Sequence, residues 1–91
     1  MSKYLVERHL PGITPEQLSA AAGAAKSTTA AMTREGTPVR YLRSTFIPGE
    51  EKCFCLFEGA SADVVRTANN RAQLPYERIV EAMHLASDDL Q

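Results

Sequence analysis

Ninety-one residues make one domain, because a chain of this length builds a single hydrophobic core and lacks the apolar surface for two. Hydrophobic residues are 44% and charged residues 23% of the chain, ordinary values that exclude a disordered or fibrous class. Ten Lys and Arg against eleven Asp and Glu give a formal charge of -1, without the basic excess that neutralises phosphates, so no nucleic-acid partner is expected.

The N-terminus runs apolar for only three residues, Tyr4 to Val6, before Glu7 and Arg8. That is too short for a signal-peptide core or a span of about 20 apolar residues, so the chain reads as cytoplasmic with no membrane contact. Residues 3–9 alternate, Tyr4 and Val6 against Leu5, Glu7 and His9, and predict a first strand. Pro11-Gly12 breaks it. Thr14 then stands as a helix cap, with Pro15 at the first helical position and Gln17 completing a capping box. Leu18, Ala21, Ala22, Ala25, Thr29 and Met32 form one stripe at helical spacing, and Gly36 and Pro38 end the helix after about Arg34. Small residues in that stripe let the helix lie close to a sheet.

Residues 38–47 and 52–58 predict two strands joined by the turn Pro48-Gly49-Glu50-Glu51. With those four residues as the loop, Ile47 faces Lys52, Phe46 faces Cys53, Ser44 faces Cys55, Arg43 faces Leu56 and Tyr41 faces Glu58. One face then carries Leu42, Ser44, Phe46, Cys53, Cys55 and Phe57 and suits packing under helices. The other carries Tyr41, Arg43, Thr45, Phe54, Leu56 and Glu58. Cys53 and Cys55 point the same way with their Cα atoms near the upper limit for a bridge, and no further metal-ligand spacing accompanies them, so both are expected reduced.

Ser61 caps a second helix with Asp63 in its first turn and Val64, Val65, Ala68 and Ala72 as its apolar side. After Leu74-Pro75, residues 78–84 predict a fourth strand, Val80 and Ala82 towards the helices, with His84 in the same parity, and Ile79, Glu81 and Met83 on the other face. The tail from Ser87 is expected to fray. The order β, α, β, β, α, β predicts an α+β ferredoxin-like two-layer sandwich spanning 1–91, with an ordered core of about 3–85: a four-stranded antiparallel sheet with both helices on one face. The uncovered face mixes apolar residues with Glu7, His9, Tyr41, Arg43, Glu58 and Glu81, and a second copy of the sheet is its simplest cover, giving a homodimer.

That face holds groups fit for acid/base work, for binding an anion through Arg43, or for holding a metal through imidazole and carboxylate. Equally, Arg43 paired with a glutamate would make it a hydrated interface. His9 and Glu7 share one face of one strand, close enough to ligate one ion. No phosphate-cradling loop, nucleophile elbow, HExxH or EF-hand pattern is present, and no organic cofactor is indicated.

The segments YLVERHLPGIT, VRYLRSTFIPGEEKCFCLFEGAS and LPYERIVE, in that order over residues 3–85, resemble a family of small, largely actinobacterial ferredoxin-like proteins of unknown function named after a nickel-binding member. The resemblance implies a dimeric α/β sandwich and, for some members, nickel bound largely by histidine. It carries over His9 alone, at the end of the first strand, so Glu7 and groups of a second subunit would complete a nickel site. Two functions are therefore expected: a divalent-metal (nickel) binding dimer with His9 and Glu7 as ligands, or a metal-free enzyme of isomerase, cyclase or monooxygenase type. In the second, His9 acts as acid/base, Arg43 as anion stabiliser and Tyr41 as an orienting hydroxyl. A module with neither activity stands as the alternative to both.

Overall fold

Each predicted helix start is formed by the side chains that announced it. Thr14 Oγ1 accepts from the Gln17 N–H at 3.1 Å while Gln17 Oε1 accepts from the Thr14 N–H at 3.0 Å, and helix α1 runs Pro15–Arg34. It ends where Gly36 adopts φ +104°, with Thr37 N–H donating to the Met32 carbonyl and Gly36 N–H to that of Thr33. That pair of bonds satisfies the last carbonyls of the helix and requires the left-handed conformation that glycine adopts freely. Ser61 caps helix α2, Ala62–Arg71, through the Val64 N–H.

The structure, a computed structural model, describes residues 1–90. Strands β1 (Ser2–His9), β2 (Val39–Ile47), β3 (Lys52–Gly59) and β4 (Arg78–Ala82) form one antiparallel sheet in the order β2-β3-β1-β4. The helices cover one face. Tyr4, Val6, Cys53, Cys55 and Phe57 pack there with Ala25 of α1 and Val65 of α2, and Met32, Val39 and Ala68 form a smaller second cluster. Burial of Phe57, Val6 and Val65, each at most 1% exposed, stabilises the fold by roughly 1.5–3 kcal/mol per side chain.

The β2–β3 register is as expected from Ile47↔Lys52 to Arg43↔Leu56. Beyond it, a bulge leaves Leu42 without a partner and shifts the pairing, so that Tyr41 faces Phe57, not Glu58. Tyr41 thus belongs to the helix side: its ring lies 5.5 Å from that of Phe57, and its hydroxyl shares a 2.6 Å hydrogen bond with Ser44 Oγ. The bulge also brings the Tyr41 N–H to Thr29 Oγ1 of α1 at 3.3 Å and sets Arg40 opposite Glu58.

Strand β4 is inverted relative to expectation. Arg78 pairs with Glu7 and Val80 with Leu5, which places Arg78, Val80 and Ala82 on the open face. Ile79 sits beside Val6 and packs on the core, and Glu81 faces the helix side opposite Tyr4. His84 also changes sides. It lines a shallow hollow of the open face with Leu5, Phe54 and Leu56, and Arg43 Nη2 lies 2.6 Å from its Nδ1. Strand β2, which carries Arg43, stands three interstrand spacings from β4, roughly 14 Å. The chain beyond Ala82 therefore turns back over the open face, where it helps leave Leu56 only 6% exposed. A single 3₁₀ turn, Ser87–Asp89, follows.

Candidate functional site

The open face is built in rows across the sheet. Arg78, Glu7, Phe54 and Thr45 form one row, and Val80, Leu5, Leu56 and Arg43 the next. His9, exposed, lies at the end of β1 opposite Lys52. His9 and Arg43 are separated by four strand positions, about 13 Å along the sheet, and Tyr41 is on the other side. The structure does not bring these three together. It brings Glu7 onto the same face as His9, but both Glu7 carboxylate oxygens already accept from cations: Oε2 from Arg78 Nε at 2.6 Å and Oε1 from Lys52 Nζ at 3.3 Å. The Arg78 hydrogen bond first, and that of Lys52 second, hold the Glu7 carboxyl below its ordinary value. Glu58 is likewise flanked by Lys3 (3.4 Å) and Arg40 (3.6 Å).

The strand residues of this face number five cations, Lys3, Arg40, Arg43, Lys52 and Arg78, against the two carboxylates Glu7 and Glu58. A divalent cation approaching it meets a surplus of positive charge. A guanidinium only donates, so His84 Nδ1 is the acceptor from Arg43 and its ring proton sits on Nε2. Neither nitrogen of that tautomer offers a free lone pair. No three His, Cys, Asp or Glu side chains converge among the described residues. One protomer thus supplies a single imidazole, His9, and does not by itself hold the donor set of a nickel ion.

A second constellation lies on the helix side, at a residue that the alternation of β1 places there with Tyr4 and Val6. Arg8 is 3% exposed. Its Nε donates to Cys55 Sγ at 3.3 Å, Nη1 to the Pro75 carbonyl at 3.0 Å and Nη2 to Asn69 Oδ1 at 2.6 Å. Asn69, itself 1% exposed, is held by its own Nδ2 donating to the Val65 carbonyl one turn earlier in α2. The Pro75 and Asn69 acceptors are neutral amide oxygens, the third acceptor is a cysteine sulfur, and Arg8 takes part in no ion pair with a carboxylate among the described residues.

Cys53 supplies no counter-charge. Burial first, and then the neighbouring Cys55, push its thiol up to about 11, so it stays protonated at neutral pH. The two sulfurs lie 3.7 Å apart, both cysteines buried and free. Arg8, the two cysteines and Ser44 line a cavity of about 120 Å³ whose opposite wall is the alanine stripe of α1. A buried cation without a counter-ion costs several kcal/mol, which neutral hydrogen bonds offset only in part.

Together these features describe a small ferredoxin-like α+β sandwich with a basic open face and a buried arginine beneath its helices. The chain belongs to the SCO4226-like family, described as nickel responsive protein SCO4226-like, which it matches over residues 4–82. It is similar to the crystal structure of SCO4226 from Streptomyces coelicolor A3(2), with 27% sequence identity and a TM-score of 0.75 over 93% of this chain and 100% of that one. Comparison with curated proteins gives no match. No helix among the described residues is long and apolar enough to cross a membrane.

Proposed function

We propose that this chain is a nickel-binding protein that works as a homodimer, with the open sheet face and the segment folded over it as the interface. The observation that carries the dimer is where the exposed large apolar side chains stand. Apart from Met1 they are Val80, Met83, Leu85 and Leu90, all on β4 or just beyond it, and Met83 is 85% exposed. Exposed apolar side chains on β4 and in the segment that follows it, next to a half-covered sheet, favour a partner surface over solvent.

The family's nickel responsiveness supports the metal reading, and His9 is the imidazole left available for it. Glu7, beside it on β1, joins as a ligand once one of its two cations gives way. The remaining donors come from the second copy. The test is calorimetric titration of tag-free protein with nickel, zinc serving as competitor, with the mass followed by light scattering. Binding to a species of two chains, lost in His9→Ala, is the expected result. A wild-type protein that takes up no nickel overturns the metal reading, and a mass of one chain with or without nickel overturns the dimer.

A further inference from the structure

The cavity under α1 combines three features that point to a ligand. Arg8 lines it and is nearly fully buried. Each of its three nitrogens donates one hydrogen bond, so of the five N–H donors of a guanidinium three are used and two have no acceptor among the described residues. The wall facing Arg8 is made of Leu18, Ala21, Ala22 and Ala25, residues small enough to leave space where a core helix normally fills it.

We propose that this cavity binds a short aliphatic carboxylate, its oxygens on the unused N–H donors of Arg8 and its alkyl chain against Leu18, Ala21 and Ala22. A planar guanidinium matches a carboxylate through two parallel hydrogen bonds. One negative charge balances one arginine, whereas a phosphate dianion would leave a surplus in a site with no second cation, since no Lys or other Arg lines the cavity. The size agrees. An apolar cavity of about 150 Å³ accommodates a six-carbon ring, so about 120 Å³ suits a chain of roughly four carbons. The proposal does not depend on nickel or on the dimer.

The test uses butyrate as probe and butyramide, its neutral isostere, as control, titrated into the ¹⁵N-labelled full chain in a buffer without other carboxylates. Butyrate is expected to give saturable shifts at residues 18–25 and at the Arg8 Nε–H, and to raise the melting temperature. Butyramide should bind at least about tenfold more weakly, as loss of a charge-assisted hydrogen-bond pair dictates. Two variants keep Arg8 in place. Asn69→Asp puts a carboxylate where the 2.6 Å acceptor now sits, and is expected to weaken butyrate at least about tenfold while melting no lower than wild type without ligand. Ala22→Leu fills the cavity and should abolish the shifts in a folded protein. Absence of saturable butyrate binding by wild type, equal binding of butyramide, or wild-type binding by folded Ala22→Leu each overturns the proposal.

Discussion

The buried arginine makes a prediction whose size follows from its partners. In Arg8→Met the alkyl volume is largely kept while three donors disappear. The Pro75 carbonyl belongs to an exposed residue and recovers water, and Cys55 Sγ is a weak acceptor, so the loss concentrates on Asn69 Oδ1, buried with its residue at 1% exposure. An unsatisfied buried acceptor costs about 1–3 kcal/mol. Removing an uncompensated buried cation works in the opposite direction, so the net cost of Arg8→Met is about 0–2 kcal/mol. Asn69→Leu is the more damaging change: it strips the shortest hydrogen bond from a guanidinium that keeps its charge, and costs about 3 kcal/mol or more. In the double variant neither group is stranded, and the loss should fall to about that of Arg8→Met alone. Urea unfolding of the four proteins at unchanged m-value gives the cycle, with a coupling of about 3 kcal/mol or more and each kcal/mol moving the melting temperature by about 4–8 °C. If the single losses add to within about 0.5 kcal/mol, Arg8 and Asn69 are not an energetic unit and the account of the buried charge is wrong.

Two further perturbations probe the open face and the helix end. The Glu7 carboxyl is held below its ordinary value of 4.5 by Arg78 and Lys52, so its contribution to stability is fully present above the unfolded value and is lost as pH falls through the lower folded one. Wild type should therefore exceed Glu7→Gln in stability at pH 6–7, with the gap closing only below about pH 4.5; a gap that stays constant from pH 7 down to acid unfolding contradicts the ion-pair role. Gly36→Ala, at φ +104°, should lower stability by about 1 kcal/mol in a thermal melt with the helix content unchanged. An equal or higher melting temperature would mean that the two terminal hydrogen bonds do not require the left-handed residue.

Most of the sandwich was readable because its signals are local. Thr14, Pro15 and Gln17 cap α1 whatever surrounds them, and the four-residue loop from Pro48 to Glu51 fixes the hairpin register next to it. What the sequence hid is set by partners distant in the chain. Nothing near Tyr41 announces a bulge, which exists because the ring gains Phe57 and the amide gains Thr29 across the layer. The five residues of β4 alternate no better in one parity than the other, and pairing of Arg78 with Glu7 decides between them. Arg8 was within reach. It shares the parity of Tyr4 and Val6, and an arginine on the helix-facing side of a central strand is itself the signal of a buried charge. Asn69, four residues after Val65 on the packed side of α2, completes it.

The distribution of charge separates the two constellations. On the open face each carboxylate has two cations, so that surface is electrostatically satisfied and slightly basic. Inside, one cation has no carboxylate partner among the described residues although the chain contains eleven Asp and Glu. Acid is not scarce, and Asn69 already occupies the geometry that an aspartate would need to neutralise Arg8 at 2.6 Å. A fold selected only for stability gains from that change, since a satisfied charge pair removes the cost that neutral acceptors leave standing. The amide at this position keeps the guanidinium hungry for an anion beside an alanine-walled cavity. That is the arrangement of a binding site in which the ligand supplies the missing charge.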